Sequence, residues 1–162
     1  GHIGLFIQQF LLQRPVGEGE NLRGEEGGGF TTIDLLALQR PTGAGTLYKY
    51  GAAPSYLKRG GCVTRVTGQS LPAGLQQGAD GPESTRLSLQ AGSFFVMVSD
   101  GVADETDDEW LQNLMAGWSG QSAEALASLI LSESRTRRGL RDDCAVLVLH
   151  LPKMEDSPPR QV

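Results

Sequence analysis

Three aspartates stand at the ends of strongly apolar segments of the chain. Asp100 follows the run "FFVMVS" and precedes Gly101. Asp142 and Asp143 come just before a second apolar run, "AVLVLHL". If these runs are neighbouring antiparallel strands, the end of one lies beside the start of the other, and the carboxylates meet at one sheet edge. Because carboxylates repel one another, such a cluster favours a hard divalent cation such as Mn²⁺ or Mg²⁺, and Gly101 lets the backbone turn away from the ion.

A plainer interpretation of the same residues is also open. Asp-Gly after a strand is a common turn signal, and Asp142-Asp143 can be a solvated turn after a helix. On this interpretation the chain is a β-rich interaction module without a metal. The spacing alone leaves both interpretations standing.

Composition bounds the class of protein. The 162 residues carry a net charge of −5, which argues against general binding to nucleic acid or to an anionic membrane. No apolar run approaches the ~20 residues of a membrane span. Cys62 and Cys144 match no zinc spacing and lie in no Cys-x5-Arg phosphate loop, so we expect reduced thiols in a cytoplasmic protein.

The hydrophobic pattern predicts mainly β-structure before Asp100. Residues 3–12 show spacings of three and four and predict a short amphipathic helix. Residues 14–29 are rich in glycine and glutamate and predict a loop. Gly60-Gly61 links two short runs and predicts a hairpin. The predicted strands are "FTTIDLLAL", "GTLYKYG", "SYLKRGG", "CVTRV", "TRLSL" and "FFVMV", the last covered on both faces.

Two helices and a closing strand are predicted after Asp100. Thr106 and Glu109 have the spacing of a capping box at the start of the first helix. The second helix is predicted from about Ser122 to Arg137, with a central strand over 145–151 after it. The side chains expected to face inward are Trp110, Leu111, Leu114, Met115 and Trp118 around the first helix, and Ala125, Leu126, Leu129 and Ile130 on the second. The fold class is α+β, or a layered α/β/α sheet domain with mostly antiparallel pairing.

Two motifs carry a resemblance to a known family. "VMVSDGVADE" together with "RGLRDDCAVLVL" is similar to the carboxy-terminal half of the metal-dependent protein serine/threonine phosphatases, the PPM family. Three further stretches, earlier in the chain, occur in the order seen in the sporulation branch of that family, the catalytic domain of stage II sporulation protein E. They are "FTTIDLLAL", "LYKYGAAPSYLKRGG" and "LPAGL". The resemblance covers roughly residues 23–151 and implies the layered sandwich of that family.

The resemblance implies roles for the aspartates. Asp100 matches the aspartate of the family's third metal motif, with Gly101 beside it. Asp142 and Asp143 match the last motif, although Cys144-Ala145 replaces the usual Met-Thr. In such enzymes two Mn²⁺ or Mg²⁺ ions orient and acidify a water molecule that attacks phosphoserine. The resemblance also implies a phosphorylated regulatory protein as substrate, of the anti-sigma-factor antagonist type.

The amino-terminal metal motif of the family is not found in this sequence. Asp-Gly pairs occur only at 80–81 and 100–101, and Asp34 lies inside a predicted strand and does not match. We therefore expect a divergent or truncated segment at 1–22, the carboxy-terminal part of a phosphatase domain at 23–151, and a flexible tail at 152–162. A phosphatase fragment with weak or no activity on its own is one expectation. A non-catalytic remnant that binds a protein partner is the alternative.

A basic group closes the second predicted helix. Its arginines suit the negative carboxyl end of the helix dipole, which is the simpler interpretation. Alternatively, Arg138 and Arg141 contact phosphate or a phosphorylated, acidic substrate near the metal edge. The group comprises Arg135, Arg137, Arg138 and Arg141.

Overall fold

Two antiparallel sheets and two helices make up the fold in the computed structural model, which describes residues 3–12, 30–39, 42–73, 82–138 and 143–152. The elements are β1 (Ile3–Leu12), β2 (Phe30–Gln39), β3 (Ala44–Tyr50), β4 (Ser55–Arg59), β5 (Cys62–Val66), β6 (Glu83–Ser88), β7 (Phe94–Val98), α1 (Glu109–Gly117), α2 (Ala123–Arg138) and β8 (Val146–His150). The first sheet has the order β1-β2-β3-β6 and the second the order β5-β4-β7-β8. The α+β class with antiparallel pairing is confirmed.

Strand β7 lies in the middle of the layers, and all five of its residues are buried. Phe94, Val96 and Val98 pack with residues of both helices. Phe95 and Met97 alternate with them and pack against the first sheet. The described layers therefore run helices, second sheet, first sheet. The prediction that this strand is covered on both faces is confirmed.

The prediction of a helix at residues 3–12 is wrong. This segment is β1, and it pairs antiparallel with β2 from Ile3↔Gln39 to Leu12↔Phe30. A nearly continuous apolar run of ten residues fits both helical and strand periodicity, so the pattern alone does not separate them. The ladder with β2 decides the matter because it pairs the backbone groups of both strands.

The hairpin predicted at Gly60-Gly61 is confirmed. Arg59 pairs with Cys62, so the two glycines form a two-residue loop between β4 and β5. Gly60 has a φ of 57°, in the left-handed region that glycine adopts without a steric cost. The glycine-glycine pair therefore determines the register of this hairpin.

The predicted capping box is wrong, because α1 starts at Glu109 with Asp108 as its N-cap. Asp104 instead accepts hydrogen bonds from the Thr106 amide at 2.8 Å, the Thr106 hydroxyl at 2.6 Å and the Asp107 amide at 3.1 Å. Thr106 is thus held in a turn before the helix. Of the predicted inward side chains around α1, Leu111 and Met115 are fully buried, and the others are partly buried.

Helix α2 starts as predicted, but its buried face is shifted. The Ser122 hydroxyl accepts a hydrogen bond from the Ala125 amide at 3.1 Å and so caps the first turn. Leu126 and Ile130 are fully buried, as expected. Ala125 is exposed and Leu129 is 41% exposed, so both were placed wrongly. The buried face continues one turn later at Ser134, a polar residue that the hydrophobic pattern did not include.

Strand β8 pairs with β7 from Phe94↔His150 to Val98↔Val146. Within the described residues it lies at the edge of the second sheet and is half-buried, not central as predicted. Cys62 and Cys144 form no disulfide with each other. No helix among the described residues has the length and apolarity needed to cross a membrane. The predicted glycine-rich loop at 14–29 and the tail after Pro152 lie outside the described residues.

His150 gives the fold a predicted pH dependence. Its ring stacks on Phe94 with centroids 4.1 Å apart, and burial lowers its pKa from the ordinary value of 6.5. Below that value the unfolded chain binds a proton that the folded chain resists, so stability falls as the pH drops from about 6.5. Urea denaturation across this range is expected to show a smaller loss for His150→Phe, which keeps the stacked ring. An identical pH slope in both proteins would contradict this origin.

Candidate metal centre

The end of β7 lies beside the start of β8, as the antiparallel arrangement predicted. Val98↔Val146 is the last pair of the ladder. The Ser99 amide continues it by donating to the Ala145 carbonyl at 3.0 Å. Asp100 follows Ser99, and Asp143 precedes Ala145 by two residues. Both aspartates therefore belong to the same edge of the second sheet.

The hydroxyl of Ser99 ties these two segments together a second time. Its Oγ accepts a hydrogen bond from the Ala145 amide at 2.9 Å and lies 3.1 Å from the Asp143 carbonyl oxygen, to which it donates. The Ser99 side chain is buried. Ser99 was not among the predicted site residues, although a polar residue directly after an all-apolar strand is a signal for such a contact.

A tight turn carries Asp100 out of the strand. Asp100 is exposed, and its Oδ1 accepts from the Gly101 amide at 3.0 Å. The Val102 amide donates back to the Ser99 carbonyl at 3.0 Å. The turn thus directs the chain back into the core, where Val102 is fully buried, and leaves the aspartate at the surface.

The Gly101 carbonyl faces the protein interior. It accepts hydrogen bonds from the Cys144 thiol at 3.3 Å and from the Ser134 hydroxyl at 3.5 Å. These contacts join the Asp100 turn to α2 and to the segment before β8. Cys144, at a position where the resembled family has methionine, therefore acts as a hydrogen-bond donor under the turn. A metal-site role for Gly101 stays a prediction.

The structure describes only some of the predicted site residues. Asp143 is exposed at the same edge as Asp100. Asp142 and Arg141 lie outside the described residues, and Arg138 is described only as the last residue of α2. Among the residues that the structure does describe, no group of three or more His, Cys, Asp or Glu side chains could hold a metal ion. The ligand assignments stay predictions.

The chemistry of the two described carboxylates fits Mn²⁺ or Mg²⁺. Asp100 and Asp143 offer exposed oxygen ligands on adjoining segments that Ser99 holds in register. These cations take few protein carboxylates and retain several waters, so an exposed position suits them. Asp142, the residue before Asp143, would add a further carboxylate. These aspartates therefore suit one of the two cation positions of a two-metal site.

A buried carboxylate anchors the loop between the Asp100 turn and α1. Asp108 Oδ2 accepts from the Tyr56 hydroxyl at 2.9 Å and lies 2.8 Å from Arg65 Nε. Asp108 Oδ1 accepts from Gln112 Nε2 at 3.0 Å. Burial raises the pKa of Tyr56, and the hydrogen bond from its hydroxyl to Asp108 adds to the rise. The Tyr56 hydroxyl therefore remains a donor at neutral pH. The loop is thereby attached to β4 and β5.

A charge pair with both partners buried was not anticipated from the sequence. The Lys49 ammonium contacts both carboxylate oxygens of Asp34 at 2.7 and 2.8 Å, the Ala53 carbonyl at 2.7 Å and the Ser55 hydroxyl at 3.1 Å. Lys49 is 1% and Asp34 2% exposed. Burial raises the pKa of Asp34 and lowers that of Lys49, because both charges have left water. Both residues belong to the first sheet, and their contacts with Ser55 link the pair to β4 of the second sheet.

The described arginines of α2 support the helix-surface interpretation. Arg137 Nε lies 2.8 Å from Glu133 Oε1, one turn earlier. Its guanidinium also stacks over Trp110, 5.5 Å from the ring centroid. Arg135 is exposed on the same last turn of the helix. Arg137 is thus occupied by neighbours on the two helices.

Comparisons with known proteins agree with the resemblance. The family model described as "Stage II sporulation protein E (SpoIIE)" matches residues 12–152. Stage II sporulation protein E of Bacillus subtilis is 31% identical over 129 residues, covering 75% of this chain and 16% of that protein. The chain therefore spans a small part of the length of this relative.

Solved structures show the same likeness. The PP2C phosphatase domain of SpoIIE from Bacillus subtilis, with a fragment of its regulatory domain, matches with a TM-score of 0.68 and 29% identity, over 75% of this chain and 39% of that one. The phosphatase domain of the same protein presoaked with Mn matches with a TM-score of 0.64 and 27% identity, over 78% and 59% of the two chains. The predicted PPM-type fold is confirmed. With a family model covering most of its length and this agreement in structure, the chain belongs to the SpoIIE family of PP2C-type, metal-dependent protein phosphatases.

Proposed function

We propose that this chain is part of a metal-dependent protein phosphatase that hydrolyses phosphoserine on a regulatory protein. The observation that carries the proposal is the pairing of β7 with β8, which brings the Asp100 turn beside Asp143 in a member of this family. An anti-sigma-factor antagonist is the proposed type of substrate, on the basis of the sporulation-branch resemblance. A cytoplasmic location is proposed with it, since Cys62 and Cys144 form no disulfide with each other.

The chemistry assigns separate tasks to the residues present. A bound pair of Mn²⁺ or Mg²⁺ ions supplies an activated water and neutralises charge on the phosphoryl oxygens. Asp100, Asp142 and Asp143 are proposed to hold the cation at the sheet edge, and Gly101 to shape the turn. Arg138 and Arg141 are proposed to contact the phosphate or an acidic surface of the substrate.

We propose that the chain alone has reduced activity. Its Asp-Gly pairs are limited to 80–81 and 100–101, so it supplies the third and last metal motifs of the family without the first. Two or three carboxylates hold one hard cation loosely, because Mg²⁺ and Mn²⁺ keep their waters unless several ligands are fixed. A scaffold that binds a phosphoprotein without hydrolysing it is the competing function.

Calorimetric titration with MnCl₂ tests the proposal on the chain itself. Binding is expected for the wild-type chain and is expected to weaken by more than about a hundredfold in Asp100→Asn, beyond the loss typical of an outer-shell partner. Glu124→Gln is the matched control. It also removes one negative charge, but it lies ten residues, or about 15 Å of helix, before Ser134 beside the turn.

Phosphate release from a phosphoserine protein completes the test. Mn²⁺-dependent release that Asp100→Asn abolishes and Glu124→Gln preserves supports the phosphatase. Mn²⁺ binding without phosphate release supports a chain that keeps one half of the two-metal site and lacks phosphatase activity on its own. The absence of binding up to millimolar Mn²⁺ would favour the non-catalytic scaffold and reject the metal centre in this chain.

A further inference from the structure

Strand β8 has the composition of a central strand and the position of an edge strand. Val146 and Val148 pack with the core under the helices, and Leu147 and Leu149 with the core between the sheets. All residues of β8 are nevertheless only half-buried, because no described strand lies on its side away from β7. A strand that is apolar on both faces is usual inside a sheet, so this edge has the surface to take a further strand.

The hydrogen bonds to β7 show which backbone groups of β8 are directed outward. The Ala145 carbonyl accepts from the Ser99 amide at 3.0 Å, and the Leu151 amide donates to the Ser93 carbonyl at 3.0 Å. Because the direction of these groups alternates along a strand, every second residue between Ala145 and Leu151 also faces β7. The groups that point to the open side of the sheet are the amides and carbonyls of Val146, Val148 and His150.

We propose that β8 pairs antiparallel with β8 of a second copy of this chain. A two-fold axis at Val148 places this residue opposite Val148 of the partner subunit, and Val146 opposite His150 of the partner subunit. The outward groups of both strands are then matched, which gives about six intermolecular hydrogen bonds. The same patch serves both chains, as a two-fold dimer requires. This inference is independent of the metal centre and of phosphatase activity.

The distribution of charge favours a second copy at this edge. The edge strand β5 carries Arg65, and the edge strand β6 carries Glu83 and Arg86. Charged residues of this kind keep natural sheet edges from pairing. Strand β8 contains no Asp, Glu, Lys or Arg, so self-pairing sets no like charges opposite each other. The parts of the chain outside the described residues have no run of β-branched or aromatic residues, so their sequences predict no strand for this edge.

The helix layer leaves room for the second copy. Helix α2 packs over β8, whereas α1 packs over β4 and β5 at the other end of the sheet. Arg137 contacts Trp110 of α1, so this side of α2 faces α1. Arg135 is two residues earlier, about 200° around the helix, and points toward the open edge of β8. Together with Leu131 it lines a recess of about 440 Å³ on that side.

Sedimentation velocity of the full chain measures the dimer. The mass is expected to rise reversibly from 17.3 kDa toward twice that value as the concentration passes through roughly 10 µM to 1 mM, the range of weak interfaces. Val148→Pro removes the outward amide and keeps the ladder with β7, because an edge strand accepts proline where its N–H would face solvent. This variant is expected to raise the dissociation constant of the dimer at least about tenfold.

Val63→Pro is the matched control at the opposite edge of the same sheet. Arg59 pairs with Cys62 across the two-residue loop, so the Val63 amide also points away from its sheet. Val63 and Val148 are both partly buried against the core under the helices. The two variants therefore make the same change at the two edges. Val63→Pro is expected to dimerise as wild type does.

Hydrogen exchange of the wild-type chain gives a test that needs no variant and decides the matter if Val148→Pro does not fold. Raising the concentration through the dimerisation range is expected to slow exchange about tenfold at the amides of Val146, Val148 and His150. The amides of Leu147 and Leu149 face β7 in monomer and dimer alike, so their exchange is expected to change less. Equal slowing at all five amides would contradict pairing through the outward groups.

The remaining outcomes are equally decisive. A chain that stays monomeric at all concentrations overturns the inference. A dimer whose new protection lies in β1, which is also an edge strand without charged residues, overturns it as well. Equal weakening of the dimer in Val63→Pro and Val148→Pro does so too, because proline would then act through the stability of the sheet. A dimer that binds no Mn²⁺ supports this inference and rejects only the metal centre.

Discussion

Replacing Lys49 with methionine is expected to destabilise the fold by about 3–5 kcal/mol, the usual cost of removing one partner of a buried ion pair. The Asp34 carboxylate is 2% exposed and would keep only the Ser55 hydroxyl, at 3.0 Å, from its present side-chain partners. Methionine approximates the volume of the lysine stem, so little of the loss would come from a cavity. Urea denaturation followed by the fluorescence of Trp110 and Trp118 measures the free energy of unfolding.

The pH dependence of this variant identifies the cause. Burial already raises the pKa of Asp34, and the loss of the neighbouring ammonium removes the groups that oppose the rise. A carboxyl group with a raised pKa in the folded state favours folding most at low pH, and loses that contribution as the pH rises through the folded-state value. The destabilisation by Lys49→Met is therefore expected to shrink between about pH 7 and pH 4.

A double variant provides the control. Asp34→Asn with Lys49→Met removes both charges and is expected to recover a large share of the lost stability, because no buried charge is then left without a partner. If the double variant is as unstable as Lys49→Met, the uncompensated carboxylate is not the cause. A loss below about 1 kcal/mol in Lys49→Met would also contradict the prediction, since that is the range of exposed pairs.

Replacing Phe95 with alanine is expected to cost about 3–5 kcal/mol, the range for large-to-small changes in a packed core. Phe95 is fully buried between the two sheets, where it packs with leucines of β2, β3 and β4. Its neighbours belong to strands of both sheets, whose backbones are fixed by ladders. The cavity can therefore collapse only in part, which keeps the cost high.

Leu129→Ala is the matched comparison for Phe95→Ala. Leu129 is 41% exposed on α2, so its truncation is expected to change the free energy of unfolding by less than about 0.5 kcal/mol. Both variants are measured by urea denaturation. A comparable loss in Leu129→Ala would mean that this leucine faces the core, as its sequence position suggested, and that the orientation of α2 is different.

Local sequence determined a large part of this protein. The predicted strands at "GTLYKYG", "CVTRV" and "FFVMV" formed because each combines β-forming residues with clear turn signals at its ends. Gly60-Gly61 set a hairpin because a two-residue loop needs a residue that accepts positive φ. The adjacency of Asp100 and Asp143 also followed, since a buried antiparallel pair brings the end of one strand to the start of the other.

Competition between local options explains the errors. Thr106 and Glu109 fit a capping box, but Asp104 captures the Thr106 amide and hydroxyl first. Residues 3–12 fit two periodicities, and pairing with β2 selects the strand. Leu129 and Ile130 are adjacent aliphatic residues, and only the rotation of α2 against the second sheet decides which one is buried.

Tertiary structure alone decided the polar contacts that span long separations along the chain. Asp34 and Lys49 read as ordinary polar residues of two strands until pairing and layer packing place both inside the protein. Ser99 becomes a link between strand ends only when Asp143 and Ala145 arrive beside it from 44 and 46 residues away. Hydrophobic periodicity is a property of neighbours along the chain, so it predicts which face of an element is buried. Which donor meets which acceptor depends on the relative placement of whole elements, and that placement exists only in the folded protein.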